Sequence, residues 1–227
     1  MALTVGDIIT GLVRPLLVDV STTNRWGDPE LILYFNDGCR EIARLRPEVT
    51  ATLVDIPLVA GAVQSLPAGY LMMLEGICNQ DPSTGNAVGR VIRRVKRSTL
   101  DTESPDWMSA APAAVVRRYV VSLTTPRTFY VHPPSDGGVT AGIKAALSGP
   151  PAKVTALIDV VPIPDTYGAA LTNYVVFRAF KSLIESPEAQ NRAESYASIF
   201  YTQLTSSDAV MEGRNAKVRE PTLPEDD

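Results

Sequence analysis

Near its start the chain places apolar residues at helical spacing: Val5, Ile8, Ile9, Leu12, Val13, Leu16, Leu17 and Val20 trace one broad stripe behind a Thr4/Asp7 capping pair. Pro15 has no N–H to give to Gly11 and crowds that carbonyl, which predicts a kink or an early end. Ser21 to Gly27 is the connector to a second helix, predicted over Asp28 to Arg46. Asp28 is its candidate cap, Pro29 suits a first helical position, and Glu30 favours the positive end of the dipole. Leu31, Phe35, Gly38, Ile42 and Leu45 make its core face, while Asn36, Asp37, Arg40, Glu41 and Arg44 fall mostly on the other. Pro47 biases Arg46 away from the α region and ends it.

From Val49 the period becomes two. Val49, Ala51 and Leu53 alternate with Thr50 and Thr52 as in a half-buried strand. Ala60-Gly61 is a turn, Val63 to Leu66 a short return strand, and Pro67 to Gly69 a second break; the pattern leaves the Met-rich run Tyr70 to Cys78 open. Val115 to Leu123, Arg127 to His132 and Val139 to Leu147 read as three strands of an antiparallel meander. Pro133-Pro134 and Asp136-Gly137-Gly138 supply the turn between the last two.

Helical spacing returns after Pro164. Asp165 is a possible cap, and between Tyr167 and Ile184 the residues Leu171, Tyr174, Val175, Val176, Phe177, Phe180 and Leu183 cover most of the circumference. Such a helix belongs at the centre of a bundle or between subunits. Ser186-Pro187-Glu188 opens a last helix with Ala189, Ala193, Tyr196, Phe200 and Leu204 on its stripe. Neither terminal pair of helices covers its own stripe. The predicted fold is therefore α+β: a four-helix bundle built from both chain ends, residues 1–47 and 164–207, with an inserted antiparallel β-rich region, 48–163. Residues 208–227, with Pro221, Pro224 and a final Glu-Asp-Asp, read as a flexible C-terminal arm.

Composition adds exclusions. A 227-residue chain that is 45% hydrophobic and 20% charged is ordinary for a globular protein, and a net charge of −4 disfavours a protein that depends on broad phosphate neutralisation. Cys39 and Cys78 lack zinc spacing and read as small buried thiols. No export signal and no apolar span of membrane length is present, so a reduced protein made in the cytoplasm is expected. The single histidine, His132, reads as a strand-end imidazole, and no phosphate loop or nucleophile elbow appears. No catalytic residues, cofactor or metal are expected; a small hydrolase with an unrecognised site is the weakest reading.

The strongest local charge is Arg90-Val91-Ile92-Arg93-Arg94-Val95-Lys96-Arg97. A solvated edge strand guarded by Arg90, Arg93, Arg94, Lys96 and Arg97 explains it, and a subunit contact through those five residues is the next reading. A nucleic-acid-binding module using 90–97 is the alternative function, although no aromatic residue interleaves the cations.

The strings L-Y-F-N-D-G-C-R-E-I-A-R-L-R-P from Leu33, Q-S-L-P-A-G from Gln64, S-P-D-W-M from Ser104, F-Y-V-H-P-P from Phe129 and P-I-P-D-T-Y-G-A-A-L from Pro162 follow one another in an order and spacing that resembles tailed-phage head-to-tail adaptor proteins. The resemblance covers roughly Asp28 to Leu204. Tyr34, where that family usually has Trp nearby, and Cys39, where it usually has Gln, depart from the pattern. The resemblance implies a structural virion protein without enzymatic activity, made in the host cytoplasm. It would form a homo-oligomeric ring, expected to be of twelve, joining the portal protein to the tail nozzle or tube, with genomic DNA passing through without specific binding and no membrane contact. In that setting the arm is expected to order against the portal or a neighbour, with Arg214, Lys217 and Arg219 meeting acidic groups. Lys217 and Arg219 would share one side of an extended segment, with Val218 facing the other way.

Overall fold

The computed structural model describes residues 2–18, 25–122, 124–184 and 186–217. Two units emerge: one is formed by residues 1–46 and 152–227, the other by 47–151.

In the first unit, Thr4 and Asp7 form the reciprocal capping box that opens α1 (Val5–Ile8). Because Pro15 cannot donate, the following turn widens to a π-turn over Ile9–Val13, closed by Arg14 N–H on the Ile9 carbonyl, before α2 (Arg14–Leu17). The widening shifts the stripe: Val13 and Leu17 are buried, whereas Leu12 and Leu16 are 48% and 42% exposed. Helix α3 spans Asp28–Leu45 and stops at Arg46, as Pro47 dictates. Asp28 is its first helical residue rather than its cap, and its carboxylate instead takes an ion pair from the buried Arg14. After a 3-10 turn at Asp165–Tyr167 comes α5 (Gly168–Lys181), then α6 (Pro187–Lys217), where Ser186 Oγ accepts from Ala189 N–H. A seven-residue helix, α4 (Arg97–Glu103), belongs to the other unit.

The expected four-helix bundle does not form. Leu171, Val175, Val176 and Ala179 bury α5 from several directions, so this one helix takes the middle, and α3, α6 and the broken N-terminal turns pack on it. The N-terminal stripe, spanning only Val5–Leu17 in three pieces, is too short and too interrupted to be a fourth bundle helix. Helix α3 packs tightly on α5 at Gly38, where a Cβ would meet Leu171 Cδ1 at 2.6 Å and Tyr174 Cδ1 at 2.9 Å. Arg46 reaches across to donate to the Leu204 carbonyl of α6. Asn36, expected mostly on the polar face, is buried: its carboxamide donates to the Val154 carbonyl at 2.9 Å and accepts from the Val154 N–H at 3.0 Å.

The second unit is a sandwich of two four-stranded sheets. One has the order β1 (Ala51–Pro57), β8 (Gly142–Ser148), β3 (Met72–Gln80), β4 (Ala87–Val91); the other has β2 (Gly61–Ser65), β7 (Thr128–Ser135), β6 (Arg118–Val121), β5 (Arg93–Arg94). The Met-rich run is thus β3. The meander expected from 115 to 147 is corrected: β6 and β7 pair, but β8 crosses to the other sheet and lies between β1 and β3. Nor do β1 and β2 form a hairpin, since they too belong to different sheets. Strand β7 also continues through Pro133 and Pro134 to Ser135 instead of turning there.

Alternation sorts the side chains. Tyr119, Phe129 and Val131 point inward to meet Ile56, Met73, Ile143 and Leu147, and Tyr119 Oη accepts from Gly76 N–H at 2.9 Å. Val120 and Tyr130 point outward and are covered by Leu100 of α4 (Arg97–Glu103) and by Trp107. Trp107 stacks edge-on to Tyr130 at 5.9 Å and donates from Nε1 to Asp101 at 2.8 Å.

The close approach at Gly38 gives a test. Gly38→Val should lower the unfolding free energy by about 1–3 kcal/mol in a denaturant titration, because the branched side chain must displace the Leu171 and Tyr174 side chains. An unchanged midpoint would contradict this packing.

Candidate functional site

The residues of the basic run sit where the chain passes from one sheet to the other. Arg90 and Val91 end β4, the edge of the first sheet; Arg93 and Arg94 are β5, the edge of the second. Between them Ile92 turns inward and is buried in the sandwich core, with its N–H on the Ile77 carbonyl. Strand β5 runs parallel to β6, with Arg93 opposite Arg118 and Arg94 opposite Tyr119. Lys96 precedes α4 and Arg97 begins it. Arg90, Arg93 and Arg94 therefore lie exposed on two sheet edges, as charges that block edge pairing do, while Lys96 and Arg97 are exposed at the start of the following helix.

Two open grooves flank this crossing. The first, about 680 Å³, is rimmed by Arg90, Arg93, Arg117 and Arg118 over an apolar floor that includes Val91, Val115 and Pro133. The second, about 660 Å³, lies beside Arg94, Lys96 and Arg97 and is floored by Val120, Val121 and Tyr130. Arg118 pairs with Glu103, and Arg97 with Asp101 at 3.6 Å while lying 5.9 Å from the Tyr130 ring centroid. Among the described residues, Arg90, Arg93, Arg94, Lys96 and Arg117 have no carboxylate partner within 4.0 Å. Arg117 and Arg118 were not singled out by the sequence pattern; their adjacency to the run comes from the β5–β6 pairing.

The first groove is held by Asn79. Its carboxamide, almost fully buried, donates to the carbonyls of Arg90 at 2.9 Å and Val116 at 2.7 Å and accepts from Val116 N–H at 2.8 Å. This ties β4 to the irregular segment before β6. Gly89, at φ +72°, lets β4 pass Val115, where a Cβ would lie 3.1 Å from Cγ1.

Elsewhere the chemistry is sparse. His132 lies within β7, half-buried and opposite Arg118, with Nδ1 buried and without a hydrogen-bond partner among the described residues. Cys39 is buried, and burial pushes its thiol up to about 12; Cys78 is half-buried, so only one of the two thiols matches the buried reading. Glu41 is held below the usual carboxylate range by Arg44, and Asp159 by the N–H groups of Thr155 and Ala156. No group of three or more metal-ligating side chains occurs among the described residues, and none of their helices is long and apolar enough to cross a membrane.

A family model described as SU10 adaptor protein matches residues 3–221, nearly the whole chain. The chain belongs to this family. It is a family of phage head-to-tail adaptors, structural proteins of the virion that assemble with other head and tail components. No curated protein matches the chain. In this adaptor, the segments that carry the resemblance are occupied with holding the fold. Asn36 clamps Val154, Gly38 admits α5, Arg46 reaches α6, Gln64 bonds the 59–61 turn, and Trp107 and Phe129 fill the two layers of the sandwich unit.

Of the arm residues, Arg214 and Lys217 lie on α6, whose backbone is helical through Lys217 instead of losing its pattern after Ser207. Residues 208–217 are mostly good helix formers, and extending an existing helix costs less than starting one. The extended segment expected around Lys217 therefore does not include that residue, and Val218 and Arg219 lie outside the described residues.

Two outcomes are expected. At pH 8 a thiol reagent should modify at most Cys78 in the native adaptor and both cysteines in denaturant; reaction of Cys39 in native protein would contradict its burial. Asn79→Ala should cost about 1–3 kcal/mol of stability and speed hydrogen exchange at the Val116 amide, since that peptide loses its buried partner.

Proposed function

We propose that this adaptor forms a closed ring of twelve copies between the portal protein and the tail nozzle or tube, and that the ring lines the passage for DNA. The observation that carries the reading is the family match over residues 3–221. Three features support it. Asn36, Gly38, Trp107 and Phe129, which lie in the segments that carry the resemblance, are engaged in holding the fold, as suits a structural protein. The unpaired cations of β4 and β5 leave an exposed surface suited to contact with an acidic patch on another copy, as a head-to-tail ring requires. The overall charge of −4 limits retention of DNA, because each neutralised phosphate would add affinity and slow passage.

On this reading the adaptor is a virion protein made in the host cytoplasm. Arg214, Lys217, Val218 and Arg219 contact the portal or a neighbouring copy, and Arg90, Arg93, Arg94, Lys96 and Arg97 form part of a subunit contact. The purified chain is monomeric and completes its ring on the portal.

A second reading, a nucleic-acid-binding module, is favoured by one observation: the arginine-rimmed groove has an open mouth. A mobility shift with duplex DNA that weakens steeply with salt would support it.

The adaptor reading is tested by light scattering and co-sedimentation. Free protein at micromolar concentration should run as a monomer, and it should sediment with portal-bearing heads in a fixed ratio. Failure to sediment with such heads would remove the assignment, and a stable ring without them would overturn assembly on the portal.

A further inference from the structure

We propose that the groove rimmed by Arg90, Arg93, Arg117 and Arg118 is the docking site for residues 220–227 of a neighbouring copy. The proposal rests on the ring reading above and gives one of its subunit contacts a chemistry.

The match is one of charge and of apolar position. The groove presents four guanidinium groups around Val91, Val115 and Pro133, and only Arg118 has a carboxylate partner among the described residues. Residues 220–227 read Glu-Pro-Thr-Leu-Pro-Glu-Asp-Asp. Four carboxylates thus flank one apolar side chain, Leu223. Arginine forks take carboxylates bidentately, and the apolar floor takes the leucine, so charge and burial act on the same short segment. Val91, which is 66% exposed, is the floor residue with most to gain.

The rest of the sequence agrees with this occupant. Pro221 and Pro224 lack N–H groups, so the segment is a poor additional β-strand for the β4 edge, and side-chain contacts must hold it. Both prolines also restrict the free segment, which lowers the entropy lost on docking. Extended chain from 218 to 227 reaches up to about 33 Å beyond α6, enough to meet an adjacent molecule. A ring built from a heterologous contact needs two different, complementary patches on each copy, and an arginine groove with an acidic segment is such a pair. Docking would also cover the strongest local positive charge of the chain, keeping it from DNA phosphates.

The test uses a fluorescent peptide of residues 219–227 and full-length protein carrying Glu225→Lys, Asp226→Lys and Asp227→Lys, whose own segment cannot compete. The peptide should bind, more weakly as salt rises. Adding Arg90→Glu and Arg93→Glu should weaken it about tenfold or more, and a peptide with lysine at 225–227 should regain affinity for an Arg90→Glu, Arg93→Glu protein that keeps its native Glu225, Asp226 and Asp227, whose own segment does not suit the reversed groove. Absence of binding, or binding indifferent to the groove charges, overturns the proposal. So does duplex DNA that displaces the peptide at equal charge concentration, which would give the groove to nucleic acid. The choice of a neighbour is read separately, by disulfide formation between Thr222→Cys and Val91→Cys. Mixing the two single variants under conditions of assembly should give a covalent dimer. Cross-linking confined to one chain carrying both changes would overturn the contact between copies. Peptide binding needs no ring, so its failure leaves the adaptor reading standing, and a missing ring with intact peptide binding counts against that reading and against docking between neighbours.

Discussion

A buried peptide group must find a hydrogen-bond partner, and in each unit one asparagine side chain supplies it where no helix or strand does. Asn36 pairs with both the backbone N–H and the carbonyl of Val154, and Asn79 does the same for Val116 while also holding the Arg90 carbonyl. A carboxamide mimics a neighbouring backbone, with one donor and one acceptor side by side. Leaving such a peptide unpaired would cost about 1–3 kcal/mol per group. Asn36 thereby fixes the returning chain beside α3 in the helical unit, and Asn79 fixes the segment that enters β6 in the sandwich unit.

From these two clamps the rest of each unit follows by packing. In the helical unit α5 has too many apolar faces for the outside, so the other helices take places around it, and a glycine at position 38 lets one of them come close. In the sandwich unit the inner faces of both sheets share one core, while Trp107 and Leu100 close a smaller layer outside β6 and β7. The chain changes sheet four times, and the passage from β4 to β5 falls at Ile92, the one buried residue in the middle of the basic run. Charge at that crossing has a structural use, since it discourages other strands from joining two open edges. The proposed docking adds a second use for the same arginines, with specificity coming from the apolar floor between them.

Much of this was legible in the chain. Pro47 marked the end of α3, Ser186-Pro187 marked the start of α6, and the apolar residues around most of α5 called for a central position or a subunit contact, of which the helical unit shows the first. What escaped depends on relations between distant residues. Periodicity cannot foresee a π-turn, so Leu12 and Leu16 looked as buried as Val13 and Leu17. Alternation tells which side of a strand is apolar but not which sheet the strand joins, and so β8 was placed beside β7. A buried asparagine looks like a solvated one until its partner peptide is known. For the same reason Arg117 and Arg118 stood apart from the basic run until the parallel β5–β6 pairing brought them together. The family resemblance was legible because its motif residues hold the fold, and for that same reason it identified the protein better than it located a contact surface.

The central claim is that this SU10-family adaptor works as a ring at the portal vertex, and an image of the assembled connector tests it most directly. Cryo-electron microscopy of virions or portal-bearing heads with the adaptor bound should show twelve copies closed around the DNA passage, each contacting the portal and both neighbours. Density for this chain elsewhere in the particle, or isolated copies that do not touch one another at the vertex, would contradict the account.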